Sequence, residues 1–307
     1  MAKFLELPFA GRPAQVFARQ VRGLATRLGK MNCRTVVLGL SGGLDSTLAL
    51  LVSHAAFARL GWDASGIRVY TMPGFGTTRR TRGNAELLCE GLGLPLVTID
   101  ITRACRQHFR DIGHDPSVHD VVFENAQARE RTQILMDLAN KHGGIVLGTG
   151  DMSEIALGWS TYNGDHMSMF AVNSGVPKTV VREVCAWWAK RREGDLPQAA
   201  RAVRDIVATP ISPELVPGQV TEDKLGPYDL HDFFIQEYCG RGRTHAAVKA
   251  AAKRAFADRY DAATVEKWYA VFARRLRTQA FKRNCAPDGI KVFTLYFGPF
   301  DWYLPSV

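Results

Sequence analysis

Between Pro13 and Lys30 the apolar residues fall at Val16, Phe17, Val21, Leu24 and Leu28. Steps of three and four put them on one face, so the spacing predicts an amphipathic first helix over 13–30. Val36-Val37-Leu38-Gly39-Leu40 is a short apolar run of strand character, closed by Ser41-Gly42-Gly43-Leu44-Asp45-Ser46. Residues 47–60 are apolar and alanine-rich, as a buried helix should be. The same unit recurs, with strands predicted at 66–72, 96–101 and 145–147 and helices at 84–92 and 127–141. Strands alternating with helices predict an α/β fold: a doubly wound parallel sheet with helices on both faces. Sheets of this kind place ligands at the carboxyl ends of their strands.

Beyond residue 150 the pattern changes. Residues 158–178 are rich in Gly, Ser, Asn and Asp, a loop composition. Helices are then predicted at 179–192, 196–207, 230–239, 244–257 and 264–281, with Pro210, Pro213, Pro217 and Pro227 marking an irregular connection. Residues 291–303 read as a last strand or a packed aromatic tail. The simplest organisation is one unit over 1–307, with a core at about 10–215 and a helical C-terminal elaboration at about 216–307.

Composition narrows the function classes. A chain of 307 residues with 46% hydrophobic and 22% charged residues is ordinary for a soluble globular protein. No apolar run reaches membrane-spanning length and the start is no signal peptide, so the expected location is the cytoplasm, with no membrane partner. The six cysteines form no CxxC pair, and the eight histidines no HxxxH or HExxH spacing. Cysteine or histidine metal sites are therefore not expected. The net charge of +9 fits nucleic acid, polyanionic small molecules, or merely solvated side chains. No aromatic-interleaved basic motif supports the first, so no nucleic-acid partner is expected.

The strongest chemical signal is the Ser41–Ser46 loop between strand and helix. Two glycines let backbone approach a phosphate, and N–H groups at the helix start point at an anion. Ser41, Ser46 and Thr47 add hydroxyls. Asp45 would repel phosphate on its own, which calls for a magnesium ion between them. The plain alternative is a polar turn with a capping serine. A Walker A loop and a GxGxxG loop are both absent.

The segment SGGxDS resembles the ATP-pyrophosphatase group, whose members cleave ATP between the α- and β-phosphates. A second block selects within the group: Gly148-Thr149-Gly150-Asp151-Met152-Ser153-Glu154, then Leu157-Gly158-Trp159-Ser160-Thr161-Tyr162-Asn163-Gly164-Asp165, then Asn173-Ser174-Gly175-Val176-Pro177-Lys178. With Phe123 to Arg129, Ile211 to Leu215 and Phe281-Lys282-Arg283, this resembles the NAD synthetase family, specifically the synthetase half of its glutamine-dependent form. The resemblance implies the adenine nucleotide alpha hydrolase-like, Rossmann-like fold and ATP-dependent amidation of deamido-NAD by ammonia. It implies ATP as co-substrate, Mg2+ as cofactor and a homodimer.

Carried over residue by residue, the resemblance makes Asp45 and Glu154 metal ligands and, with Lys178, the catalytic set. ATP falls to Gly39, Leu40, Ser41, Gly42, Gly43, Asp45, Ser46, Thr149, Lys178 and Ser212, with Lys178 a mobile charge facing the departing pyrophosphate. Deamido-NAD falls to Asn125, Glu154, Trp159, Ser160, Thr161, Tyr162, Asp165 and Lys282. Plain readings stand beside these: Thr149 as a helix N-cap, Trp159 as core, Asp165 as a turn residue, Lys282 as a solvated charge. Arg79, Arg80 and Arg82 could face an ATP ribose or phosphate. Trp187-Trp188 read as core or subunit contact. Only about 35 residues precede the first strand, too few for a glutaminase domain, so either ammonia is expected from solution or from a separate glutaminase subunit, or the chain is a fragment of a longer protein. Rival readings are another ATP-pyrophosphatase amidotransferase, a tRNA-modifying enzyme, or an ATP-binding sensor.

Overall fold

The computed structural model describes residues 4–211, 215 and 221–299. Five parallel strands form one sheet in the order β3-β2-β1-β4-β5: β1 Val36–Gly39, β2 Ile67–Thr71, β3 Leu96–Thr98, β4 Ile145–Gly148 and β5 Phe170–Ala171. Register is set by Val36 opposite Ile67 on one side of β1 and opposite Ile145 on the other. The chain builds outward from β1 through β2 to β3, then returns to add β4 and β5 on the opposite side. The strand order thus reverses between β1 and β4, and the crevice at such a reversal is where doubly wound sheets bind ligands.

The helices follow the sequence pattern, with boundaries fixed by caps. α1 is Pro13–Met31 and α2 is Leu44–Leu60, which ends where Gly61 takes a left-handed φ of 66°. α3, Arg79–Gly91, starts before its apolar positions because the Thr78 side chain accepts from Thr81 N. α5, Val121–Lys141, starts early for the same reason: Asp120 accepts from Val122 N and Phe123 N. Some elements escape the pattern. α4, Thr102–Ile112, is rich in Arg, Gln and His and buries only Cys105 and Phe109. β5 is two residues long, inside the predicted loop.

α6 Met152–Leu157, α7 Lys178–Arg191, α8 Pro197–Ala208 and α9 Thr221–Leu225 follow. α10, Tyr228–Phe234, runs into a π-helical turn at Ile235–Gly240. α11 is His245–Ala255, and the predicted last helix is two, α12 Ala262–Thr278 and α13 Ala280–Asn284. Over its described residues, 291–299, the tail is packed and adds no strand to the sheet: Leu5 N donates to Val292 O and Thr294 N to Leu5 O, both at 2.9 Å. The rest of the expected tail lies outside the described residues. One apolar core runs from α1 through α2 and α7 to α10, α12 and Phe293. Trp188 belongs to it, and Trp187 packs on Phe17 with ring centroids 5.7 Å apart. All six cysteines are free thiols. Among the described residues no helix is long and apolar enough to cross a membrane.

His231 lies in this core, fully buried, with Nε2 2.8 Å from Leu225 O and rings of Phe234 and Phe272 beside it. Burial holds its imidazole down at about 4. A lowered folded-state value means that the unfolded chain takes up the proton first. Stability from the neutral ring is therefore complete above about 6.5 and is lost as pH falls towards 4. We expect wild type to lose about 2 kcal/mol more than H231Q between pH 7 and pH 5, because glutamine keeps a donor for Leu225 without titrating. Urea unfolding at the two pH values measures the difference.

Candidate active site

A cavity of about 620 Å³ opens at the reversal point, over the carboxyl ends of β1 and β4. Its floor on the β1 side is the glycine loop, with Gly39 through Ser46 on the wall. Gly42 has a φ of 87°, and a Cβ there would sit 2.2 Å from Thr81 O of α3, so only glycine fits the turn. The serines brace the loop from within. Ser41 Oγ lies 3.0 Å from Ser46 Oγ and accepts from Gly43 N at 3.1 Å, and Ser46 Oγ donates to Gly43 O at 3.2 Å. The predicted hydroxyl of Thr47 is a correction: its side chain is fully buried and lies off the wall.

β4 ends in Thr149-Gly150, both on the wall, and α6 begins directly after them. Asp151 caps α6, accepting from Glu154 N, while Glu154 accepts from Asp151 N, a reciprocal capping box. The cap is therefore Asp151 and not Thr149. Asn173, fully buried, joins the two strand ends. Its Nδ2 donates to Asp45 O at 2.8 Å and to Thr149 O at 3.0 Å, while Gln20 of α1 holds its Oδ1.

Asp45, Asp151 and Glu154 converge, with carboxylate oxygens within 4.8 Å of one another. Lys178 sits under them: Nζ donates to Asp45 Oδ2 at 2.6 Å and Glu154 Oε1 at 2.9 Å, and lies 2.8 Å from Asp151 Oδ2. This corrects the expectation of a mobile Lys178. The side chain is 2% exposed and lies off the cavity wall. Burial alone would lower its ammonium, but Asp151, Asp45 and Glu154 hold it well above its usual value. Burial pushes the Glu154 carboxyl up to about 7, with Asp45 adding and Lys178 opposing. Asp151 is raised well above the carboxylate range, first by burial. Three carboxylates face one ammonium, and Asp45 Oδ1 is buried without a hydrogen-bond partner. All donors are hard oxygens, so the set fits a divalent cation such as magnesium.

The far wall comes from residues 158–168 and the C-terminal helices. Trp159, Ser160, Thr161, Asp165 and Lys282 all line it, as does Asn125 of α5, whose Oδ1 accepts from Thr161 Oγ1 at 3.0 Å. Lys282 is no solvated charge: Nζ donates to Gly158 O at 3.0 Å and Ser160 O at 2.5 Å. The Arg275 guanidinium lies 5.0 Å from the Trp159 ring centroid and donates to Leu157 O and Gly158 O. Asp165 Oδ1 accepts from Thr161 N at 2.6 Å, closing the turn between them. Tyr162 is a correction: it does not line the cavity and packs on His166 and Phe281. The arginine cluster is also elsewhere. Arg80 forms a two-pronged pair with Asp205 of α8 and Arg82 pairs with Glu86, while Thr78 and Thr81 take the wall. Ser212 lies outside the described residues.

Sequence reasoning gave no role to Asp151, Asn173 or Arg275. A D-x-x-E capping signature marks Asp151, whereas Asn173 and Arg275 act across more than 100 residues of sequence and leave no local signal. The loop geometry separates its two glycines. G42A should cost about 2–3 kcal/mol, from a left-handed φ and the collision with Thr81. G43A should cost under about 1 kcal/mol, since its φ is −91° and the nearest atom to a new Cβ is the movable Ser41 Oγ at 3.3 Å. Thermal melting of the two variants decides it.

Comparison with known proteins gives the lineage. The NAD synthase family model matches residues 16–284. The glutamine-dependent NAD(+) synthetase of Mycobacterium leprae is 39% identical over 301 residues, covering 89% of this chain and 44% of the relative. The chain therefore spans about half the length of the curated relatives it matches. In fold it is similar to the glutamine-dependent NAD(+) synthetase of Cytophaga hutchinsonii, with a TM-score of 0.78, 17% identity, and 97% of this chain against 54% of that one. It is similar also to the NH3-dependent NAD synthetase of Campylobacter jejuni, with a TM-score of 0.62, 18% identity, and 89% against 96%. The match of one family model along most of its length, with a relative 39% identical over 89% of it, places this chain in the NAD synthase family.

Proposed function

We propose that this chain amidates deamido-NAD to NAD, using ATP and ammonia and releasing AMP and pyrophosphate. The observation that carries the reading is one continuous cavity. It runs from the glycine loop and the Asp45–Glu154 carboxylates to Trp159, Asn125 and Lys282, so a triphosphate and a second nucleotide can meet over the acidic cluster. In the first step the nicotinate carboxylate attacks the α-phosphorus of ATP, and pyrophosphate leaves with the bond electrons. In the second, ammonia attacks the adenylated carbonyl, loses a proton, and AMP departs. The glycine turn orients the phosphates, and the protein's chief work is to align two polyanions.

Magnesium, when bound, would neutralise phosphate charge; Asp45, Glu154 and Asp151 are the residues that would hold it. Without such a charge the carboxylates would repel the triphosphate. Lys178 sets the spacing of the three acids and offsets part of their charge. The far wall would take the deamido-NAD, with Trp159 as a ring surface, and Lys282 and Arg275 as the nearby positive charge. The unit over 1–307 would act as a homodimer in the cytoplasm, taking ammonia from solution or from a glutaminase, whether partner subunit or further part of a longer chain.

Two measurements test this. D45N should lower pyrophosphate release from deamido-NAD, ammonium and magnesium ATP about a thousand-fold or more, roughly 4 kcal/mol of barrier, with circular dichroism unchanged. Wild-type turnover by that variant would refute the assignment of Asp45. With the nitrogen donor varied, the 307-residue chain should form NAD from ammonium and none from glutamine alone. Product from another carboxylate but none from deamido-NAD would instead support a different ATP-pyrophosphatase ligase.

A further inference from the structure

The helix that carries Lys178 begins in an unusual way. Lys178 is its first residue, so a cation stands at the positive end of the helix dipole. No acidic residue occupies the first turn, and the preceding Pro177 offers no side-chain cap. The free N–H groups of that largely buried turn need acceptors. They find them in two places. Lys178 N donates to Ser153 Oγ at 2.9 Å, and Thr179 N donates to Asp232 Oδ2 at 2.8 Å.

Asp232 comes from α10, 53 residues further along the chain, and is 4% exposed. Its Oδ2 also accepts from Thr179 Oγ1 at 2.7 Å, and its Oδ1 accepts from Ser153 Oγ. Among the described residues, every donor that reaches the carboxylate therefore belongs to α6 or to the start of α7. Ser153 is the neighbour of Glu154, and Thr179 is the neighbour of Lys178. The Ser153 hydroxyl is directed by the chain of bonds: it accepts from the Lys178 amide, so its own proton points to Asp232.

We propose that Asp232 is a positioning residue for the acidic cluster, a helix cap supplied from the C-terminal helical region that fixes the Lys178 ammonium and the Glu154 carboxylate relative to each other. It does not line the cavity. It acts by setting where α7 starts, by placing negative charge at a helix end that would otherwise repel Lys178, and by tying that end to α6. Its connection to catalysis rests on the function proposed above; its control of Lys178 does not. An asparagine at this position keeps the volume but offers one acceptor oxygen where the carboxylate uses two. Either Ser153 or the Thr179 pair loses its partner, and α7 can shift by a fraction of an ångström.

The test uses D232N in the full chain, with S153A as a second variant in case D232N folds poorly. Lys178 should be inert to acetic anhydride in wild type, followed by mass spectrometry of the intact folded protein. In D232N its modification rate should rise at least ten-fold at a temperature well below melting. The concentration of magnesium giving half-maximal rate should rise about ten-fold, while KM for deamido-NAD stays within two-fold. A residue with a merely structural role would lower the melting temperature and leave these readouts of the folded fraction unchanged. Wild-type Lys178 protection in both D232N and S153A would overturn the proposal, as would an unaltered magnesium dependence. If wild type itself formed no NAD, the function would fail while the labelling still decided the role of Asp232.

Discussion

The structure turns on one buried ammonium. Lys178 is held within 2.9 Å of three carboxylates that come from two different strand ends. Removing one partner from a buried ionic group leaves uncompensated charge and costs about 3–5 kcal/mol, so the four side chains constrain one another strongly. Yet the group does not balance. One ammonium cannot balance three ionised carboxylates, and burial accordingly pushes the Glu154 carboxyl up to about 7 and Asp151 well above the carboxylate range. A set chosen for stability alone would hold fewer acids, since well-packed apolar residues of similar volume serve a core as well or better. On the function proposed above, the cluster would seat a cation whose charge lets the carboxyls give up their protons.

Around that centre the fold is arranged so that each acid arrives from a rigid element. β1 delivers Asp45 through a turn that tolerates only glycine at position 42. β4 delivers Asp151 and Glu154 on a helix of six residues, too short to be stable alone. Its carboxyl end is held from outside: Arg283 Nη1 donates to Ala156 O at 2.7 Å, and Arg275 and Lys282 bind the next carbonyls. The C-terminal helices are thus the scaffold of the acidic site as well as a cover for the sheet. Helix–helix packing through Phe234, Tyr269 and Phe272 gives that scaffold its own core.

Much of this was legible in the sequence, and the parts that were not share a cause. The apolar runs and alternating helices predicted a parallel α/β sheet because buried strands and helix faces leave local patterns. The glycine loop and the GTGDMSE block marked the two strand ends because turn chemistry is also local. α4 was missed because its surface is mostly polar, and β5 because two residues carry no period. The mobile role expected of Lys178 failed for a different reason. Burial depends on what surrounds a residue in three dimensions, and a lysine among small and apolar neighbours reads the same whether it points to solvent or into a carboxylate cage. Asp232 and Asn173 were invisible in the same way, since each acts only through distant partners.

Asn173 gives the site a mechanical character. Its amide has two hydrogens, and each is committed to a carbonyl of a different strand end. The bonds tie the glycine turn to the acidic helix and set the width of the gap between them. On the proposed function, a bound triphosphate would have to match that width, while on the opposite side of the cleft the residues from Thr161 to His166 bond within their own turn.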